Sequence, residues 1–81
     1  MDYVVRTPQQ LGQVLKACRK KRRLTQSLVG AKVGVRQGQI SSIETHGADI
    51  TVDTLYRLIS ALGLELVLRD MRARDARPTE W

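Results

Sequence analysis

A run of polar side chains between Arg36 and Ser42 carries the hydrogen-bonding groups that read nucleic-acid bases. An arginine can pair with O6 and N7 of guanine and a glutamine with N6 and N7 of adenine, each contact contributing about 1–3 kcal/mol of discrimination. The candidate base-contacting residues are Arg36, Gln37, Gly38, Gln39 and Ser41. Gly38 either lets its segment approach a groove closely or reflects tolerance of glycine near a helix start.

Basic residues are concentrated in the same half of the chain. The formal net charge is +6. Residues 1–46 carry nine Lys or Arg and two acidic residues, whereas residues 47–81 carry five Lys or Arg and six acidic residues. Positive charge beside base-reading side chains indicates a polyanionic partner. The candidate phosphate-contacting residues are Arg19, Lys20, Thr25, Gln26 and Ser42. The alternative for the basic ones is a solvated helix end, favoured there by the helix dipole.

Catalytic and metal chemistry find little support in the residue types. Cys18 and His46 are the single cysteine and histidine, too few for a zinc site or an internal disulfide. Paired carboxylates, a phosphate-binding glycine loop and an activated nucleophile are missing. We therefore expect a protein that is not an enzyme and has no catalytic residues, metal or cofactor. No long apolar run begins the chain, so a cytoplasmic location is expected.

Two short helices joined at a glycine are predicted to position the polar residues. The apolar positions on these helices and at their corner are Val29, Val33, Val35, Ile40 and Ile43. Their spacing places one apolar face on each helix. Gly30 permits close approach, Gly34 can adopt the positive φ that ends a helix, and Thr25 is a suitable N-cap. Leu28 falls outside this face, so it either widens the core or touches a partner.

One further helix is predicted on each side of this pair. The first begins at Thr7 and Pro8 and runs to about Arg22; the last begins at Thr51 and stops at Gly63. Each carries an apolar stripe at i, i+3, i+4 and i+7, namely Leu11, Val14, Leu15 and Cys18, then Leu55, Leu58, Ile59 and Leu62. Four helices are thus expected to enclose one core.

Residues 64–69 alternate in the manner of a β-strand, with Leu64, Leu66 and Leu68 on one face. A strand must pair, either with residues 2–6 or with the same strand of a second copy; we favour the second copy. Two-fold pairing would set two recognition helices about 34 Å apart, one turn of DNA. Residues 1–69 are expected to form the domain and residues 70–81 a flexible polar tail, whose Trp81 is either a partner anchor or an incidental terminus.

The central motif resembles the XRE, or Cro/CI-type, helix-turn-helix family. The matching residues are Leu24, Thr25 and Gln26, then Gly34 and Val35, then Ile40, Ser41, Ile43 and Glu44. The resemblance implies a mainly α, four- to five-helix, lambda-repressor-like domain, here with a C-terminal strand paired across a homodimer. Ser27 and Leu28 depart from the acidic pair usual at those positions.

The order of elements, down to the terminal Glu80 and Trp81, resembles the HipB-type antitoxins. This implies a dimer that binds palindromic operator DNA on the nucleoid, represses its own operon and neutralises a HipA-type serine/threonine kinase toxin, with Trp81 as a toxin contact. Two alternatives remain. One is a free-standing XRE-family regulator with a non-kinase partner or a small ligand, and the other is an adaptor that has lost DNA binding and uses the basic face for an acidic protein.

Overall fold

The structure, a computed structural model, describes residues 1–47 and 49–71 and contains four helices in that part of the chain. They are α1 (Pro8–Lys21), α2 (Gln26–Val33), α3 (Gln37–His46) and α4 (Val52–Ala61). Helix α3 packs against α1 and α2, and α4 packs against α2. The predicted mainly α architecture is confirmed. Among the described residues, no helix has the length and apolarity needed to cross a bilayer.

Threonine N-caps start three of the helices, as predicted. The hydroxyls of Thr7, Thr25 and Thr51 each accept a hydrogen bond from the backbone N–H three residues later, at 3.0–3.1 Å. A cap of this kind typically stabilises a helix by about 1 kcal/mol. Pro8 follows Thr7 at the first helical position, where its missing N–H leaves no helical hydrogen bond unmade.

The turn between α2 and α3 depends on two glycines. Gly34 ends α2 with φ of 80°, a conformation that most side chains disfavour. A β-carbon on Gly30 would lie 2.6 Å from the carbonyl oxygen of Val35, so the turn closes only over a residue with no side chain. The predicted roles of both glycines are confirmed: Gly34 ends α2, and Gly30 permits a close approach. The backbone that approaches Gly30 is that of the turn, at Val35.

The core lies where the four apolar stripes meet. Its buried members are Leu15, Cys18, Val29, Val33, Ile40, Ile43, Leu58 and Leu62. Leu11, Val14, Val35 and Leu55 pack against them and are partly buried. The predicted stripes are therefore confirmed, and Cys18 is a core residue. Leu28 does not join this core, because 51% of its surface is exposed.

Helix α1 crosses α3 at Gly12, a contact that the sequence analysis missed. A β-carbon on Gly12 would lie 2.5 Å from the carbonyl oxygen of Ile43 and 2.7 Å from that of Glu44. A β-carbon does not fit this close to a backbone oxygen, so the two helices touch backbone to backbone. This contact fixes how deeply α3 sits against α1.

The predicted strand does not form in the single chain. Neither residues 64–70 nor residues 2–6 form a strand, and Leu68 is 92% exposed. The physical reason is that a strand needs a second strand to pair with its backbone N–H and C=O groups, and the described part of the chain contains no strand. Asp2 and Arg69 connect the two segments through an exposed ion pair of 3.2 Å. The predicted tail contact Trp81 and residues 72–81 lie outside the described residues.

The N-terminal segment packs on α1 through Tyr3. A hydrogen bond with the Cys18 thiol raises the pKa of the Tyr3 hydroxyl. Residues 2–6 thus contact α1 without forming a strand.

Gly12→Ala should destabilise the fold, because the added methyl group must displace the backbone of α3. Overpacking of this kind typically costs about 1–3 kcal/mol. Gly38→Ala is the matched control, since no atom lies within 4 Å of its β-carbon position; removing a helical glycine there should stabilise by up to about 1 kcal/mol. Urea unfolding measures both, and an unchanged midpoint for Gly12→Ala would contradict the crossing.

Candidate nucleic-acid interface

Helix α3 buries one face and leaves the other open. Ile40 and Ile43 are 1% and 2% exposed, which orients the helix. The predicted base-contacting residues lie on the remaining surface: Arg36, Gln37, Gly38 and Gln39 are exposed and Ser41 is half-buried. Arg36 is the N-cap residue, yet its side chain makes no capping hydrogen bond. The first turn of α3 therefore presents a continuous polar surface.

Gln37 and Gln26 contact each other at the junction of α2 and α3. Nε2 of Gln37 donates a hydrogen bond to Oε1 of Gln26. Nε2 of Gln26 in turn donates to Oε1 of Glu44 at 3.0 Å. A predicted base-contacting residue and a predicted phosphate-contacting residue thus lie side by side, held by one hydrogen-bonded chain that reaches a carboxylate in the interior.

The carboxylate of Glu44 forms a buried ion pair with Arg19. Nε of Arg19 lies 2.6 Å from Oε2 of Glu44, and Nη2 lies 3.1 Å from Oε1. Nη1 donates to the carbonyl oxygen of Leu24 at 2.8 Å. Glu44 therefore makes an intramolecular polar contact, and the sequence alone did not identify its partner.

Arg19 is consequently not available to a phosphate, and that prediction is wrong. Only 9% of its surface is exposed, and each guanidinium nitrogen is engaged by Glu44 or Leu24. The reason is helical geometry: Arg19 follows Leu15 by four residues and so shares its inward face. In residue type Arg19 resembles the exposed basic residues of α1, of which Lys20 is indeed exposed.

An open concave surface of about 450 Å³ adjoins this network. Its lining residues are Arg19, Arg23, Leu24, Thr25, Gln26, Ser27 and Gln37. It therefore joins the loop between α1 and α2 to the first turns of α2 and α3. Four of the predicted site residues line it: Arg19, Thr25, Gln26 and Gln37. Ser42 and Lys20 are exposed outside this lining.

A second open surface, of about 460 Å³, lies on α4 and contains no predicted residue. Lys32, Asp53, Tyr56, Arg57, Ser60 and Ala61 line it. Arg57 spans it, with Nη2 2.9 Å from Oδ2 of Asp53 and Nη1 3.5 Å from the carbonyl oxygen of Val33 at the end of α2. The described residues contain no group of three His, Cys, Asp or Glu side chains that could hold a metal ion, at either surface or elsewhere.

A glycine-hinged helix pair whose second helix presents polar side chains beside a basic loop defines a helix-turn-helix protein. The HTH_3 helix-turn-helix family matches residues 15–68, and the antitoxin HipB of Escherichia coli K12 is 30% identical over 74 residues, covering 91% of this chain and 84% of that protein. The chain belongs to the HTH_3 helix-turn-helix family and, within it, to the HipB antitoxins. HipB of E. coli O6:H1 is also 30% identical, over 80 residues.

Solved structures agree with this assignment. The chain is similar to one in a HipA–HipB–O2–O3 complex with a TM-score of 0.78 and 28% identity, covering 86% of this chain and 99% of that one. The same values hold for a chain in a complex of HipB with an O4 20mer. The likeness thus extends over nearly the whole relative.

Arg19→Met should destabilise the fold by about 3–5 kcal/mol, because it leaves the Glu44 carboxylate buried without its counter-ion. The double variant Arg19→Met, Glu44→Leu should recover most of that loss, since an apolar pair removes both desolvated charges. Asp2→Ala, which breaks the exposed pair with Arg69, is the control and should change little. Unfolding free energies from denaturant titration test this order, and equal effects for Arg19→Met and Asp2→Ala would refute it.

Proposed function

We propose that this chain is the antitoxin of a type II toxin–antitoxin system and a dimeric, sequence-specific repressor of its own operon. It binds palindromic operator DNA and neutralises a HipA-type serine/threonine kinase toxin. Its role is binding rather than catalysis, exercised in the cytoplasm on the nucleoid. The observation that carries the proposal is the exposed polar turn of α3, tied through Gln37 and Gln26 to the interior of a HipB-family fold.

In this proposal α3 enters the major groove. The base-contacting residues are those on its open surface, Arg36, Gln37, Gly38, Gln39 and Ser41. Phosphate contacts come from Lys20, Thr25, Gln26 and Ser42, of which Gln26 is half-buried and the others are exposed. Support comes from the charge distribution, because the half of the chain that holds α3 carries the positive charge.

Dimerisation is proposed to use Leu64, Leu66 and Leu68. Leu66 and Leu68 are 43% and 92% exposed in the single chain, and their segment lies outside the four helices, so a second copy can reach it. Strand exchange would bury these side chains and complete the hydrogen bonds. It would also place two copies of α3 about one DNA turn, roughly 34 Å, apart.

Neutralisation of a kinase is proposed from the family. HipB occurs in a HipA–HipB–O2–O3 complex, so a relative holds a HipA partner and its O2 and O3 elements in one assembly. The corresponding partner of this chain would be a HipA-type kinase. A toxin contact through Trp81 stays a prediction, because that residue lies outside the described part of the chain.

Gln37→Ala should cost about 1–3 kcal/mol of binding to the operator and little on random DNA, because it removes a base-edge contact. Lys20→Ala should weaken binding to both DNAs alike, since a phosphate carries no sequence information. Fluorescence anisotropy measures the affinity of each variant for the operator and for a scrambled duplex. Equal losses on both duplexes for Gln37→Ala would argue against direct base reading by α3.

Purification of the chain from its host, with and without nuclease, should test the antitoxin assignment. We expect operator DNA only without nuclease and a serine/threonine kinase in both preparations, because the kinase contact does not need DNA. Added chain should then suppress the activity of the isolated kinase in proportion to its concentration. A non-kinase partner would favour the free-standing regulator instead.

A further inference from the structure

Helix α1 ends in an unusual way. Its last turn closes through the N–H of Arg23, which donates to the carbonyl oxygen of Lys20 at 2.9 Å, and the N–H of Leu24, which donates to that of Arg19 at 3.1 Å. This is the Schellman arrangement, which requires a left-handed residue directly after the cap and usually has glycine there. Arg23 occupies that position with φ of 58°.

The end of α4 offers an internal comparison. There the N–H of Gly63 donates to the carbonyl oxygen of Ser60 at 3.0 Å, and the N–H of Leu64 donates to that of Ile59 at 2.8 Å. The hydrogen-bond pattern is the same as in α1, but the left-handed residue is glycine, with φ of 67°. Helices α2 and α3 also end at left-handed glycines, Gly34 and Gly47. Of the four helix ends described, that of α1 alone accepts the strain of a β-carbon.

Nothing within the described residues offsets this strain through the Arg23 side chain. Arg23 is exposed and takes part in none of the ion pairs found in residues 1–47 and 49–71. Its neighbour Arg22 differs, because its guanidinium lies over Gly63, where a β-carbon would meet Nη2 at 2.8 Å. The adjacent side chains of Arg22 and Arg23 thus lie in different surroundings.

Arg23 instead lines the concave surface that also holds Thr25, Gln26 and Gln37. This surface is continuous with the polar turn of α3. A guanidinium there has five N–H donors in a planar fork that matches the oxygens of a phosphate group. A cation placed beside neutral glutamine and threonine side chains favours an anionic ligand at this position.

We propose that Arg23 binds a backbone phosphate of the DNA that α3 reads, and that this contact is the reason for an arginine at a position suited to glycine. The inference rests on the proposed DNA-binding function and adds a residue to it. The contact is independent of sequence, because phosphates do not differ between base pairs. Arg23 therefore contributes affinity and register, while Gln37 contributes discrimination.

The test uses three variants of the full chain and a short duplex of mixed sequence. Arg23→Gly removes both the charge and the strain, Arg23→Ala removes the charge alone, and Arg23→Lys retains both. The slope of log affinity against log salt should fall in magnitude by about 0.9 for the Gly and Ala variants, as expected for one lost phosphate contact, and stay nearly constant for Lys. The melting temperature should rise for Arg23→Gly only.

Arg22→Ala is the matched control, since it removes the same charge one residue away and should leave the slope unchanged. A raised melting temperature for Arg23→Gly with the wild-type slope would overturn the proposal, as would equal slope changes for Arg22→Ala and Arg23→Ala. Absence of salt-sensitive binding by the wild-type chain is a different result: it would refute the proposed DNA-binding function, and the role of Arg23 with it.

Discussion

The ion pair between Arg19 and Glu44 is the interaction on which the arrangement of the helices depends. Burying two charges is expensive unless geometry and hydrogen bonding compensate for lost hydration. Here the compensation is complete: two nitrogens of Arg19 meet the carboxylate, the third meets the Leu24 carbonyl, and Gln26 supplies another donor to Glu44. No buried side-chain nitrogen or oxygen in the described residues lacks a partner. The pair ties α1 to the last turn of α3, where a purely apolar contact would permit sliding.

This ion pair exists because a glycine lets the backbones meet. At Gly12 the helix α1 touches the carbonyl oxygens of Ile43 and Glu44, which brings the start of the Glu44 side chain against α1 two turns before Arg19. A larger residue would separate the helices and lengthen the charge–charge distance. Both partners of the pair are shielded from water, since Arg19 and Glu44 are 9% and 6% exposed. Steric, apolar and electrostatic terms therefore favour one position of α3.

Sequence-based prediction succeeded where the determinants are local. A threonine cap, a glycine that ends a helix, and apolar stripes at helical spacing each act within a few residues, so Thr25, Gly34 and the core positions were predictable. The burial of Arg19 was not predicted, although its spacing from Leu15 places it on the inward face, because a basic residue resembles its exposed neighbours in type. The carboxylate that permits this burial, Glu44, lies 25 residues later in the chain. Gly12 was missed for the same reason. Residues 64–69 show a third case, since a strand pattern is realised only when a second strand is present.

The hydrogen-bonded chain from Arg19 to Gln37 also bears on how a base would be read. A glutamine amide has two N–H donors and one carbonyl acceptor. Gln37 uses one donor on Gln26, so a second donor and the carbonyl oxygen stay available, which is the set that pairs with N7 and N6 of adenine. Gln26 is fixed in turn by Glu44, so the Gln37 amide is held at its rotamer before any ligand arrives. In the proposed complex, less side-chain freedom would therefore be lost when Gln37 contacts a base.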